Sequence, residues 1–139
     1  MSIPQSGGGQ IENMNQLSEY LESGCKLTKD WRIGTEHEKF GFDKSTLKPL
    51  PYEGSCSIKS MLEGLRDTFD WTPVYEQDNL IGLEKNGANV SLEPGGQLEL
   101  SGAPLESIHQ TCDEANLHLR EVKQIADKIG AGFLGLGAA

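Results

Sequence analysis

Positive charge is scarce in this sequence. Twelve Lys and Arg stand against 21 Asp and Glu among 139 residues, a formal net charge of −9. Phosphate backbones and anionic membrane surfaces are held by clustered cations, so this balance argues against a nucleic-acid or membrane partner. It leaves room for a nucleotide held through metal ions. Long apolar runs are missing as well, and none approaches the roughly 20 residues of a membrane span. The opening MSIPQSGGGQ lacks the basic start and apolar stretch of a signal peptide, and it is not Arg-rich like a transit peptide. A cytoplasmic setting is the expectation. Cysteine is rare: Cys25, Cys56 and Cys112 are widely spaced, with no C-x-x-C pair. That pattern argues against a zinc site or a disulfide framework, leaving buried or idle thiols.

Glycine, by contrast, is plentiful, at 17 residues. Gly7-Gly8-Gly9 reads as a hinge in a flexible leader over residues 1–12, and no G-x-x-x-x-G-K-[ST] phosphate loop follows it. From Asn13, Met14, Leu17 and Leu21 recur at helical spacing up to a stop at Gly24, which predicts a short amphipathic helix. The run DWRIGTEHEKFGFD predicts a strand. Ser57 suits the cap of a second helix whose buried stripe is Ile58, Met61, Leu62, Leu65 and Phe69.

Asn86-Gly87 is the strongest hairpin signal, because a type I′ turn needs φ > 0 at both central residues. Folding there pairs Lys85 with Ala88, Leu83 with Val90, and Ile81 with Leu92. A long last helix, entered after Pro104 and ended by Gly130, is predicted to bury Ile108, Cys112, Ala115, Leu119, Val122, Ala126 and Ile129. His109 and His118 fall at its polar positions. Phe133, Leu134 and Leu136 then begin what reads as another buried strand. The order predicts an α+β fold with helices on one face of a mainly antiparallel sheet. Ending inside such a strand suggests a piece of something longer.

Two glutamates, Glu36 and Glu38, sit one residue apart in the first strand. Side chains at i and i+2 of a strand share a face, less than about 7 Å apart at Cα. VSLEPGGQLELSG repeats the pattern. If parity survives Pro94-Gly95-Gly96, Glu93, Gln97 and Glu99 share one face, and Val90, Leu92, Leu98 and Leu100 share the other. Two acidic pairs on one side of a sheet fit a solvated face, or a face that binds hard divalent cations such as Mg²⁺ through oxygen ligands. His37 points to the opposite side, as a packed or supporting residue. Lys39 and Arg32 flank the first pair as charge balance. No H-E-x-x-H or Ser/His/Asp arrangement is present.

WRIGTEHEKFGF, SLEPGGQLELSGAPLESIHQTCDEANLHL and IGAGFLGLG resemble the N-terminal part of the plant-type glutamate–cysteine ligase family, from about Gln5 onward. The resemblance implies a glutamine-synthetase-like antiparallel sheet forming a bowl, incomplete in a fragment, with residues 13–139 the N-terminal part of the catalytic domain. It implies ATP-dependent joining of the γ-carboxylate of L-glutamate to the amino group of L-cysteine through γ-glutamyl phosphate, the first step of glutathione synthesis. It also implies ATP and Mg²⁺ as cofactors. Glu36 and Glu38 are then catalytic metal ligands, and Glu93, Gln97 and Glu99 serve the nucleotide site, with Glu93 and Glu99 also on metal. Some plant members are redox-regulated through disulfides, and Cys112 lies in the matching HQTC segment. Two other readings stand beside this one: a related carboxylate–amine ligase with a different acceptor, and a non-catalytic fragment or interaction domain.

Overall fold

The computed structural model of the chain describes residues 9–136. Most of the expected leader, with Gly7 and Gly8 of its hinge, lies outside the described residues; Gly9 to Glu12 carry no helix or strand. The fold is mixed α+β, a six-stranded antiparallel sheet packed with three helices. Helix α1 spans Met14–Ser23, α2 Ile58–Phe69 and α3 Ile108–Ile129. The strands are β1 Glu36–Asp43, β2 Thr72–Glu76, β3 Asn79–Lys85, β4 Ala88–Glu93, β5 Gln97–Ser101 and β6 Ala131–Leu134. Their spatial order is β2-β3-β4-β5-β1-β6. Strands β2 to β5 form a meander, and the first strand in sequence inserts between β5 and β6.

Local chemistry explains most boundaries. Asn13 caps α1 by accepting from the Gln16 amide, and Ser57 caps α2 by accepting from the Ser60 amide. Ser107 caps α3 in a reciprocal box with Gln110, three residues later than the Pro104 start expected from sequence. Gly130 closes that helix in the left-handed region, at φ 79°. The Asn86-Gly87 turn has φ 52° and 84°, as its hairpin type demands, and pairs Lys85 with Ala88 and Leu83 with Val90. The pairing ends at Gly82 with Ser91, short of the expected Ile81–Leu92 step.

The core lies between the sheet and the two longer helices. Met61, Leu62 and Leu65 of α2 and Val122, Ile125 and Ala126 of α3 are buried with Leu83, Val90, Leu98 and Leu100 of the sheet. The expected α2 stripe is observed, with Phe69 only partly buried. On α3 the expected stripe is right for Val122 and Ala126 and for the partly buried Ala115 and Ile129. It is wrong for Ile108, Cys112 and Leu119, which are exposed. Thr111, His118 and Glu121 are buried in their stead, so His118 does not occupy the polar face assigned to it. The buried line follows the 3.6-residue turn through 111, 115, 118, 122, 125 and 129, and polar side chains hold two of its inward places, at Thr111 and His118.

Helix α1 forms where its spacing predicts and stops at Gly24, and its apolar residues Met14, Leu17 and Leu21 are all exposed. One more expectation needs correction. The last strand forms, but at the sheet edge, where Leu134 and Leu136 stay exposed. Of the two readings left for the cysteines, idle rather than buried fits: all three are free, with Cys25 and Cys112 exposed and Cys56 half-buried.

Candidate functional site

Pairing register decides which side chains share a face. Glu36 pairs with Ser101, Glu38 with Glu99, and Phe40 with Gln97 across β1 and β5. Asn89 pairs with Ser101, Ser91 with Glu99, and Glu93 with Gln97 across β4 and β5. Directly paired residues project to the same side of a sheet, and the period of two carries this along each strand. Glu36, Glu38, Glu93, Gln97 and Glu99 therefore lie on one face. Val90, Leu92, Leu98 and Leu100 lie on the other, toward the helices. Parity survives the Pro94-Gly95-Gly96 turn because both glycines take positive φ, 83° and 81°, and a three-residue connection returns Glu93 opposite Gln97.

The face is graded in burial. Glu36 and Glu38 are exposed, Glu93 is half-buried, and Gln97 and Glu99 are buried. Glu38 and Glu99 are direct cross-strand partners, an arrangement that is destabilising for two like charges. The local hydrogen bonds answer that repulsion in part. Gln97 Nε2 donates to Glu38 Oε2 at 2.9 Å, and the Ser101 hydroxyl donates to Glu99 Oε1. Burial pushes the Glu99 carboxyl above its ordinary range; the Ser101 bond opposes the rise, and the neighbouring Glu93 carboxylate adds to it. An open cleft of about 440 Å³ lies beside Glu36, His37 and Glu38 and is bordered by Gly135 and Leu136. Ser91 Oγ and Asn89 Oδ1, on the same face, are buried without a hydrogen-bond partner.

Hard oxygen donors are what this face offers, and a cation would relieve the Glu38–Glu99 and Glu93–Glu99 repulsions. Among the described residues, however, no three His, Cys, Asp or Glu side chains converge into a preformed metal nest. The donor chemistry fits Mg²⁺, an ion that keeps waters and substrate phosphates in its shell and seldom sits in an all-protein cage.

The helix side holds what the sequence reading missed. Lys39 is 4 % exposed, and its Nζ donates to His37 O at 2.9 Å and Leu98 O at 3.3 Å. It also lies 3.0 Å from His118 Nε2. An ammonium has only donors to offer, so Nε2 accepts and the imidazole proton sits on Nδ1, which has no partner. Burial brings Lys39 down to about 8, with the Glu99 carboxylate pulling the other way. Burial, with the charges of Lys39 and His37 added, lowers His118 to about 3. Lys39 is thus a buried cation behind the acidic face rather than surface charge balance. Arg32 lies outside the sheet and pairs with the exposed Glu106 at 3.3 Å. The signal for Lys39 was its parity: in strand β1 it falls on the apolar side.

Comparison with known proteins gives this geometry a context. Residues 32–139 match the model of Glutamate-cysteine ligase family 2 (GCS2). The chain is 56% identical over 121 residues to a chloroplastic glutamate–cysteine ligase of Medicago truncatula, 57% to that of Nicotiana tabacum and 54% to that of Arabidopsis thaliana. Each match covers 87% of this chain and 23% of the relative. The chain therefore spans about a quarter of the length of these proteins. All three relatives are named chloroplastic, which overturns the cytoplasmic setting expected above. That expectation rested on the composition of the opening residues alone.

Proposed function

The chain belongs to glutamate-cysteine ligase family 2, and on that premise we propose that it carries the acidic strands of an ATP-dependent ligase. The reaction joins the γ-carboxylate of glutamate to the amino group of cysteine, the first step of glutathione synthesis. Residues 13–139 are the N-terminal part of its catalytic domain, in which the acidic side of the sheet forms the floor of a glutamine-synthetase-like bowl. One observation carries the reading: strand register gathers Glu36, Glu38, Glu93, Gln97 and Glu99 on one face of a family member.

A carboxylate is a poor acyl donor. Transfer of the terminal phosphoryl group of ATP to glutamate makes γ-glutamyl phosphate, and attack by the cysteine amine then expels phosphate. The obstacle is electrostatic, since an anionic carboxylate must approach an anionic triphosphate. Mg²⁺, when bound, supplies the positive charge that offsets this repulsion. Glu36, Glu38, Glu93 and Glu99 are the residues that would hold it. Gln97 fixes Glu38 through its amide, and Ser101 fixes Glu99. Both donors come from the adjoining strand or the same strand, so the carboxylates are oriented before substrate arrives. No covalent nucleophile from the protein is needed.

Glu36→Gln and Glu38→Gln, made in a full-length ligase carrying this segment, keep side-chain size and remove the charge. The expected result is a fall in kcat on the order of 10²-fold or more in each, with a far smaller loss for His37→Gln on the opposite side of the strand. Near-normal turnover in both glutamine variants, with folding confirmed by circular dichroism, would overturn the assignment.

A further inference from the structure

Lys39 occupies a particular position relative to the acidic pair. The two carbonyl groups it binds belong to His37 and Leu98. These residues immediately precede Glu38 and Glu99, which face each other across β1 and β5. The ammonium therefore lies against the backbone of that pair, on the helix side, while both carboxylates project from the open side. Its three partners, two carbonyls and a neutral imidazole, carry no charge. A buried cation held by neutral groups keeps most of its field, because neither water nor a touching anion cancels it. His118 of α3 holds the ammonium from behind, and the Lys39 side chain is almost wholly buried.

We propose that Lys39 is a positioning residue that serves as the internal counter-charge of the Glu38–Glu99 pair, pinning the backbone under both carboxylates and setting the affinity of the acidic face for a divalent cation. This rests on the metal-binding reading of that face. With Lys39 present, two opposed carboxylates tolerate each other before any ion arrives, and the bound ion meets a face whose negative charge is already partly offset. Its affinity is thereby held below what the carboxylates alone would give.

The test is direct Mn²⁺ binding, without nucleotide, by a full-length ligase carrying this segment, with free ion counted by electron paramagnetic resonance. Lys39→Gln keeps a donor for the two carbonyls and removes the charge, Lys39→Met removes both, and Lys39→Arg keeps the charge. One charge removed roughly 8 Å from a divalent ion changes affinity on the order of tenfold at an effective dielectric of about 60, the near-aqueous value suited to an ion on the solvent-open side of the sheet. Mn²⁺ should bind about tenfold tighter in the Gln and Met variants and near the parent level in Lys39→Arg. A residue that only supports packing gives weaker or unchanged binding when replaced, and that result in the neutral variants overturns the inference. If Lys39→Met does not fold, Lys39→Gln decides alone. Failure of the unaltered protein to bind Mn²⁺ would overturn the metal reading itself; binding that Lys39→Gln leaves unchanged would overturn the role of Lys39 alone.

Discussion

Gly64, in the middle of α2, offers a case where two opposing effects can be weighed. A glycine inside a helix costs about 1 kcal/mol relative to alanine, so Gly64→Ala considered locally should stabilise. The structure reverses the sign. A Cβ built at Gly64 would lie 2.4 Å from Ile125 Cγ2 and 3.4 Å from both Cγ1 and Cδ1 of the same side chain. Ile125 is 2 % exposed and branched at Cβ, so its Cγ2 has no free rotamer to retreat into. Overpacking of this kind costs about 1–3 kcal/mol, and the stiffness of the neighbour puts this site near the upper end. The net expectation is a loss of about 2 kcal/mol. With a urea dependence of about 1–3 kcal/mol per molar, that moves the unfolding midpoint down by about 1 M, read by far-ultraviolet circular dichroism. A cycle with Ile125→Ala isolates the cause. In that background the added methyl enters vacated space, and Gly64→Ala should stabilise by about 1 kcal/mol. A Gly64→Ala protein as stable as its parent, or an unchanged penalty beside Ile125→Ala, would refute the reasoning.

Two further outcomes are expected. His118 is lowered to about 3 from an ordinary 6.5, so the unfolded chain takes up a proton that the folded one refuses; its contribution to stability is complete above pH 6.5 and is lost as pH falls from there toward 3. Unfolding midpoints of the parent and His118→Gln, compared across that window, should converge as pH falls, and imidazole resonances of His118 should not titrate between pH 5 and 8. At Gly102 an added Cβ would meet Glu114 Oε2 at 2.3 Å and Thr35 Oγ1 at 2.9 Å. Gly102→Ala should cost about 1–3 kcal/mol in urea unfolding, with loss of the hydrogen bond that the Ala103 backbone N–H now donates to Glu114 Oε1 at 2.9 Å.

Sequence reading succeeded where one local rule dominates. Alternation alone placed Glu36 and Glu38 on one face and Val90, Leu92, Leu98 and Leu100 on the other, because strand parity is indifferent to what lies across the sheet. Asn86-Gly87 and the cap at Ser57 were legible for the same reason. The reading failed where polar groups are buried together. His118 reads as solvent-facing and Glu121 draws no reading, since each side chain taken singly prefers water. Their burial depends on partners distant in sequence, Lys39 for His118 and Trp71 Nε1, at 3.0 Å, for Glu121. Hydrophobic periodicity has no way to register such pairs, and it assigned Leu119 and Cys112 inward in their place. The exposed stripe of α1 marks the limit of the same rule: amphipathic spacing reveals that a face is apolar and says nothing about what covers it.

The insertion of β1 between β5 and β6 bears on how the acidic face comes into being as the chain folds. Strands β2 to β5 are joined by short turns and pair with sequence neighbours. Pairing of β1 has to span distances such as the 59 residues from Lys39 to Leu98. The entropy of closing so long a loop is lost before any contact repays it, which makes such pairing slow relative to a meander. Glu93, Gln97 and Glu99 travel with the meander, while Glu36 and Glu38 travel with β1. A partly folded chain therefore holds one half of the acidic face without the other, and the electrostatic conflict between Glu38 and Glu99 arises only at the closing step, together with the Lys39 ammonium that eases it.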